Sequence, residues 1–256
     1  MSEPIAENPT ARAPIVRFED VHKSFGAQKV LDGLSFEVES GKTLAVMGGS
    51  GTGKSVVLRH IVGLLRPDSG RVEVEGRDVP SLRADELAQM RKRMGFLFQE
   101  GALINWLSVG ENVALPLREN TRLSDAEIRE KAREQLERVH IPDAWDKMPS
   151  QISGGMKKRV GLARALVTEP HIILYDEPNA GLDPEISASI NHLILELKEK
   201  LRVTSIVVEH RVGCIKTVAD EVLFLEKGRA LVRLPTAEFF AGTHPRIAQF
   251  LGQSPD

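Results

Sequence analysis

The sequence predicts an α/β fold with a parallel core sheet, an antiparallel β part near the N-terminus and an inserted α-helical part. The first observation is the alternation of strand and helix patterns beyond residue 153, which is typical of a parallel sheet. The second is a group of short strand patterns within 15–38. The third is a helical stretch at about 101–152, which interrupts the strands.

One domain is expected at 14–252, between a flexible lead at 1–13 and a short tail at 253–256. The strands of its antiparallel part are predicted at 15–18, 28–31, 34–38 and 71–74. Strands of the parallel sheet are predicted at 44–47, 95–98, 171–175 and 204–209, and a further one ends at Leu225. Helices are predicted at 184–201 and 212–218.

The helical part contains a recognisable helix start. Ser124 and Glu127 have the spacing of a capping box, in which each side chain binds the backbone N–H of the other residue. The apolar residues that follow recur on one helix face, so this face is expected to be buried. They are Ile128, Ala132, Leu136 and Val139.

A glycine-rich stretch follows the strand pattern at 44–47 and precedes an apolar helix predicted at 56–65. Its glycines allow successive backbone N–H groups to surround a phosphate, and the helix directs its positive dipole end at the same anion. Lys54 is expected to reach the β- and γ-phosphates of a nucleotide, and Ser55 to ligate Mg²⁺. The stretch comprises Gly48, Gly49, Ser50, Gly51, Thr52, Gly53, Lys54 and Ser55.

Two acids come at the end of the strand pattern at 171–175. The carboxyl ends of strands are where open α/β sheets bind ligands. Asp176 is expected to hold Mg²⁺ through water, and Glu177 to polarise an attacking water as general base. Together with Lys54, this pair predicts a site for ATP hydrolysis.

Ser153, Gly154 and Gly155 precede a helix predicted to continue to residue 166. The free N–H groups at the start of such a helix suit an anion. Taken alone, a Ser-Gly-Gly turn more often only begins a helix. These residues lie too far along the chain from the glycine-rich stretch to be assumed part of the same site.

Nearly the whole chain resembles the nucleotide-binding subunits of ABC transporters, which have the P-loop NTPase fold. The resemblance implies a head-to-tail dimer, in which Ser153, Gly154 and Gly155 close on the γ-phosphate of ATP held by the glycine-rich stretch of a second copy. The motifs that carry the resemblance are 48–55, Gln99, 153–155, 176–177, 181–183 and His210.

The resemblance implies roles for further residues. Phe25 matches the aromatic that stacks on adenine, although it also suits a core position at a strand end. Gln99 matches the glutamine that senses Mg²⁺ and links the site to the membrane partner, and its alternative is a solvated loop residue. Asp183 matches the aspartate that organises the dimer interface, and it also suits the N-cap of a helix whose first residue is proline.

His210 matches the histidine that contacts the γ-phosphate. The sequence departs from the common family pattern here. Many members have a small hydroxyl residue before this histidine and an acid after it, whereas this chain has Glu209 and Arg211. The electrostatic setting of the contact is therefore left open.

Two segments around and after Gln99, at 98–103 and 111–119, resemble the ATPases of Mla and Mce lipid-transport systems. So do 91–94, the methionine at 156 where glutamine is usual, and 244–251. The resemblance implies phospholipid transport, with transmembrane permease subunits and a lipid-binding MCE-type component as partners. Residues 104–106 are less typical. Trp106 forms either part of a groove for a permease helix or part of the core.

The composition narrows the function classes. The chain has 256 residues, of which 41% are hydrophobic, so it can form a sizeable core. A run of about 18 apolar residues, as a membrane span requires, is absent from the sequence, and the N-terminus has no secretory apolar segment. We expect a peripheral protein at the cytoplasmic face of the inner membrane. The net charge of −2 argues against a nucleic-acid partner.

The remaining titratable residues predict little further chemistry. The other histidines lack the spacing of a metal site, so ATP and its Mg²⁺ are the ligands expected. Cys214 is the only cysteine and is expected to be a packing residue. Two alternatives to transport stay open: a regulatory ABC ATPase of a cell-envelope or division complex, and a soluble ABC ATPase without a membrane partner.

Overall fold

The computed structural model describes residues 13–99 and 101–252. The tail predicted at 253–256, and all of the lead predicted at 1–13 except its last residue, lie outside the described residues. Two β-sheets and a group of helices make up the described chain. The predicted combination of a mainly parallel core sheet, an antiparallel N-terminal sheet and a helical part is confirmed.

The core sheet has six strands in the order β10-β9-β3-β8-β7-β6. Five of them are parallel, and β10 is an antiparallel strand at the edge. Since β3 is central, the loop that follows it lies at the middle of the carboxyl edge of the sheet. The strands are β3 Thr43–Gly48, β6 Met94–Leu97, β7 Ile172–Asp176, β8 Thr204–Val208, β9 Glu221–Glu226 and β10 Arg229–Pro235.

The N-terminal sheet is antiparallel, in the order β2-β1-β4-β5. Its strands are β1 Val16–Phe25, β2 Gln28–Val38, β4 Ser69–Val74 and β5 Arg77–Asp78. The prediction of two separate strands at 28–31 and 34–38 is wrong. Gly33, with φ 78°, is skipped in the pairing between Leu34 and Asp32, which face Val21 and His22. The apparent break in the pattern is therefore a bulge inside one strand.

The helical part consists of α3 Val109–Asn120 and α4 Asp125–Arg138, followed by short 3₁₀ turns. The predicted capping box is confirmed, because Ser124 Oγ accepts from the backbone N–H of Glu127, and Glu127 Oε2 accepts from that of Ser124. The predicted apolar face of α4 is buried. It packs with α5 Gly154–Leu166 and α6 Pro184–Leu201 against one face of the core sheet.

The other face of the core sheet packs against the N-terminal sheet, α1 Lys54–Ile61 and α2 Ala84–Lys92. A third apolar cluster joins β3 and β9 to the helices near the C-terminus. These are α7 Val212–Val218, which was predicted, and α8 Thr236–Phe240 and α9 Pro245–Leu251, which were not. Within the two described ranges, no helix is both long and apolar enough to cross a membrane.

Candidate functional site

The glycine-rich loop lies between β3 and α1, as predicted, but α1 starts at Lys54 rather than at residue 56. Gly53 is the N-cap, with φ 97°, and Gly48 has φ 149°, so both occupy backbone conformations that favour glycine. A side chain at Gly48 would also collide with the carbonyl oxygen of Leu225 on the adjacent strand. Glycine at these two positions therefore allows the loop to keep this backbone path, and a path of this kind suits a phosphate.

Lys54 is folded back over the loop. Its Nζ donates to Gly48 O at 3.0 Å and to Gly49 O at 2.8 Å. Burial lowers the pKa of Lys54, and the nearby carboxylates of Glu177, Asp176 and Glu209 raise it in opposition. The ammonium group is thus placed where phosphate oxygens can replace the loop carbonyls as its partners.

Ser55 and Asp176 join the loop to the end of β7. Ser55 Oγ donates to Asp176 Oδ1 at 2.9 Å. Burial is the main cause that raises the pKa of Asp176, although the Ser55 hydrogen bond lowers it. A hydroxyl and a carboxylate are the hard oxygen donors that Mg²⁺ prefers, and two such groups suit an ion that keeps several waters. The residues present therefore fit a nucleotide-bound Mg²⁺.

Glu177 has a left-handed backbone conformation, with φ 46°. Its N–H donates to Val208 O at 2.9 Å, and its carbonyl accepts from Lys158 Nζ at 3.2 Å. Lys158 also donates to the carbonyl of Gln99. Hence one buried lysine of α5 connects the Glu177 backbone to the segment that carries Gln99.

A cavity of about 740 Å³ lies over the glycine-rich loop. It brings together predicted residues from distant parts of the chain: Phe25, most of the loop, Lys54, Ser55, Glu177 and His210. Phe25 is 46% exposed, which excludes the core alternative for this residue. The volume and the combination of an aromatic wall with a phosphate loop suit a nucleotide.

Sequence reasoning missed several residues of this cavity, namely Gln28, Val30, Val56, Arg59 and Phe250. Phe250 comes from α9 and packs edge-on against Phe224, with ring centroids 4.8 Å apart. It is a second aromatic side chain in the cavity besides Phe25. The aromatic residues near the C-terminus are only a weak indication of a second aromatic wall for the cavity. Their position depends on how α9 folds back on the sheet, which the sequence does not reveal.

Other predicted residues do not line this cavity: Thr52, Gln99, Ser153, Gly154, Gly155 and Asp183. Asp176 also does not line it and reaches the loop through Ser55. Gln99 lies two residues after the end of β6 and is exposed, which agrees with the alternative of a solvated loop residue.

Ser153 and Asp183 begin two neighbouring helices. Ser153 Oγ accepts from Met156 N at 3.3 Å as the N-cap of α5, and Asp183 Oδ1 accepts from Ile186 N at 2.9 Å as the N-cap of α6. The helix starts are in contact, because a Cβ atom added to Gly155 would lie 2.6 Å from Ile186 Cγ2. The two motifs therefore form one surface outside the nucleotide cavity.

His210 follows β8 at the edge of the cavity and is 55% exposed at its side chain. Its Nδ1 lies 3.9 Å from Glu177 Oε1 and 3.3 Å from Glu209 Oε1. The structure thus brings two acids to this imidazole, of which Glu209 was noted only as a departure from the family pattern.

Comparison with known proteins agrees with this geometry. The family model described as "ABC transporter" matches residues 31–180, more than half of the chain. A relative from Mycobacterium leprae (strain TN), named probable ribonucleotide transport ATP-binding protein mkl, is 38% identical over 236 residues, which cover 92% of this chain and 68% of that protein. The methionine import ATP-binding protein MetN of Brucella abortus (strain 2308) is 37% identical over 249 residues, covering 97% and 67%.

This chain spans 64–68% of the length of these curated relatives and of mkl from Mycobacterium bovis. The relatives are named for ribonucleotides and methionine rather than for lipids, so the finer resemblance to lipid-transport ATPases gains no support from them.

Two solved structures extend the likeness to the fold. The ATP-binding cassette MJ0796, in a dimeric post-hydrolysis state with ADP and Pi, has a TM-score of 0.79 and 32% identity, covering 86% of this chain and 98% of that one. The structure of cbiO1 from Clostridium perfringens has a TM-score of 0.82 and 29% identity, covering 93% and 99%. This chain belongs to the ABC transporter family and is an ATPase cassette that binds ATP with Mg²⁺.

Proposed function

We propose that this chain is the ATP-hydrolysing subunit of a membrane ABC transporter and acts as a head-to-tail dimer. One observation carries the proposal. The nucleotide cavity contains the phosphate loop, Glu177 and His210, whereas Ser153, Gly154 and Asp183 lie on a separate surface. A second copy can complete each cavity with that surface, and the N–H groups at the start of α5 suit the terminal phosphate.

The proposed roles follow the positions of the side chains. The loop N–H groups and Lys54 bind the β- and γ-phosphates, and Phe25 stacks on the adenine ring. Ser55 and Asp176 would hold Mg²⁺, which would neutralise phosphate charge, and Gln99 is proposed as a further residue that would contact the ion.

Hydrolysis needs a water placed in line with the γ-phosphorus. Glu177 accepts a proton from this water while the water oxygen forms a bond to the γ-phosphorus. The bond between the γ-phosphorus and the β–γ bridging oxygen breaks, which releases ADP and phosphate. His210 donates a hydrogen bond to the terminal phosphate oxygens. Glu177 and His210 both line the cavity, which supports this pairing of roles.

A permease is proposed to bind beside the helical part. Trp106 is 80% exposed, so its alternative as a core residue is wrong, and Phe98 is 41% exposed. Phe98 and Ile104 line a cavity of about 370 Å³ together with residues of α2, α3 and α5. Trp106 does not line this cavity but lies two residues beyond Ile104, which does, and Arg91, Lys92 and Arg164 add cations to the lining. A partly apolar groove near an exposed tryptophan suits the docking of an amphipathic helix. The related cbiO1 is described as part of a transporter complex, cbiONQ.

We propose a phospholipid as the transported substrate and a lipid-binding MCE-type component behind the permease. The sequence segments after Gln99, with Met156, support this choice. The names of the relatives favour ribonucleotides or methionine instead. The ATPase is proposed to work peripherally at the cytoplasmic face of the inner membrane.

Purification of the tagged chain in a mild detergent tests the main proposal. A multipass permease is expected to co-purify, and the complex is expected to hydrolyse ATP. The variant Glu177→Gln in the same complex should bind ATP but show no turnover. A non-transporting membrane partner would favour the regulatory alternative. Recovery of the chain without any membrane protein would favour the alternative of a soluble ABC ATPase without a membrane partner.

The substrate needs a separate experiment. The purified complex is placed in proteoliposomes and supplied in parallel with a fluorescent phospholipid, methionine and a ribonucleotide. The proposal expects ATP-dependent movement of the phospholipid alone. Movement of methionine or the ribonucleotide would contradict the lipid assignment and leave the ATPase assignment intact.

A further inference from the structure

A fully buried acid precedes His210. Glu209 directly follows β8, and its side chain is 1% exposed. Its Oε1 accepts hydrogen bonds from the backbone N–H groups of His210, at 2.8 Å, and Arg211, at 3.1 Å. One carboxylate oxygen therefore fixes the backbone of the two residues that follow it.

The same oxygen reaches the imidazole ring. Glu209 Oε1 lies 3.3 Å from His210 Nδ1, closer than Glu177 Oε1 at 3.9 Å. A carboxylate on one ring nitrogen fixes the orientation of an imidazole and leaves the other nitrogen for a ligand. Because the His210 side chain is 55% exposed, packing alone does not hold its ring.

Arg211 anchors the chain on the other side of the histidine. Its guanidinium donates to Ser187 Oγ at 2.6 Å and twice to Leu182 O at 3.2 Å. His210 thus lies between Glu209, whose buried carboxylate binds the backbone of the next two residues, and Arg211, whose guanidinium is bonded to Leu182 and Ser187. The His210 ring itself can still rotate, and Glu209 restricts this rotation.

Burial of Glu209 is costly for stability. Within the described part of the chain, Glu209 Oε2 has no hydrogen-bond partner. A buried carboxylate with one unsatisfied oxygen destabilises a fold, and an apolar or hydroxyl side chain would satisfy the position better. Glu209 also acts on Lys54. Burial lowers the pKa of Lys54, and the neighbouring acids, including Glu209, raise it. This buried acid therefore belongs to the electrostatics of the nucleotide site.

We propose that Glu209 is a positioning residue, which holds the His210 ring in the orientation needed to contact the terminal phosphate of ATP. The inference rests on the proposed function, in which His210 makes that contact. It assigns a role to Glu209, which stands before the histidine where many family members have a small hydroxyl residue.

The test is a double-mutant cycle of Glu209→Gln and His210→Ala, measured as single-turnover ATP hydrolysis in the purified protein with its permease. Glutamine retains the shape and the acceptor oxygen but removes the charge beside Nδ1. We expect Glu209→Gln to lower the rate about tenfold, while the affinity for ATP, measured separately by binding, changes less than about twofold. In the His210→Ala background the same substitution should change the rate less than about twofold.

A tenfold loss in both backgrounds would overturn the proposal, since Glu209 would then act independently of His210. An unchanged rate in Glu209→Gln alone would also overturn it. Thermal unfolding of every variant identifies any that fails to fold, and Glu209→Asp, with the same cycle and the same expected non-additivity, replaces Glu209→Gln in that case. Full activity of His210→Ala itself would instead refute the proposed role of His210.

Discussion

Ser55 Oγ and Asp176 Oδ1 are joined by a hydrogen bond of 2.9 Å, although the two residues are 121 positions apart in the chain. Ser55 belongs to the first turn of α1, and Asp176 is the last residue of β7. Strand β8 lies between β7 and the central strand β3, so the bond crosses the carboxyl edge of the sheet. The hydroxyl and the carboxylate together define where a nucleotide-bound cation would lie.

The first prediction concerns activity at this pair. Asp176→Asn retains an acceptor for the Ser55 hydroxyl but removes the negative charge. We expect at least a tenfold lower ATPase rate and a higher Mg²⁺ concentration at half-maximal rate, since carboxylates that act through water contribute about 10–100-fold. Mg²⁺ titration of the ATPase rate checks this, with Ser55→Thr, which keeps a hydroxyl, as the control. An unchanged Mg²⁺ dependence would contradict the assignment.

The second prediction concerns stability at the same position. Burial raises the pKa of Asp176, so the folded chain binds the proton more tightly than the unfolded chain does. Stability therefore falls as pH rises from the ordinary aspartate pKa through the raised one, and the cost is fully present above it. We expect Asp176→Asn, without nucleotide, to be about 0.5–1 kcal/mol more stable at neutral pH.

Urea unfolding at several pH values checks this second prediction. The advantage of the variant should disappear as pH falls below the ordinary pKa of aspartate, where the carboxyl group is protonated in both states. A difference that does not vary with pH would show that the ionisation of Asp176 is not its cause.

The third prediction separates two glycines at the start of α5. A Cβ atom at Gly155 would lie 2.6 Å from Ile186 Cγ2, whereas one at Gly154 would lie 3.5 Å from Leu182 Cδ2, an ordinary contact. We expect Gly155→Ala to lower the free energy of unfolding by about 1–2 kcal/mol and Gly154→Ala to be nearly neutral.

The cause of the Gly155→Ala effect can be checked by relief of the contact. Addition of Ile186→Ala removes Cγ2, so it should destabilise the Gly155→Ala variant less than it destabilises the natural sequence. Chemical denaturation of the four proteins measures this coupling. Strictly additive effects would show that the contact between α5 and α6 is not responsible.

The fourth prediction concerns the exposed tryptophan. Trp106 lies in a loop held by Asn112, whose side-chain amide group donates to the carbonyls of Ile104, Leu107 and Ser108. Because Trp106 is 80% exposed, we expect Trp106→Ala to change stability by less than about 0.5 kcal/mol and to leave the ATPase of the isolated protein unchanged. Capture of the permease should fall at least about tenfold, as for a central interface tryptophan.

The control for Trp106→Ala is Leu64→Ala, which removes another exposed apolar side chain, 61% exposed. Co-purification of the permease is measured for both variants at equal expression. Equal capture by Trp106→Ala and the natural sequence would exclude this loop from the permease interface.

Local sequence patterns predicted much of the fold. Helix α6 begins and ends where expected, because Asp183 caps it and Pro184 suits its first turn. The capping box of α4 and the loop between β3 and α1 were equally clear, since each depends on residues a few positions apart. The bulge at Gly33 was not predicted, because only the partner strand distinguishes a bulge from a strand end.

The residues missed at the site depend on contacts between distant segments. Phe250 reaches the cavity only because α9 folds back onto β9, where the Phe250 ring packs on Phe224. Lys158 is not among the residues predicted for the site, yet its ammonium group binds the carbonyls of Gln99 and Glu177. Spacing in the sequence contains no information on such long-range contacts, whereas the glycine-rich loop is encoded in consecutive residues.

The left-handed backbone of Glu177 has a consequence for how this sequence can change. Glycine or asparagine would adopt a backbone φ of 46° with less strain than glutamate does. Variants selected for heat resistance alone should therefore accumulate glycine or asparagine at 177, while variants selected for ATP turnover should retain the carboxylate. The two selections favour different amino acids at position 177. The glutamate found there therefore indicates selection for ATP turnover rather than for stability alone.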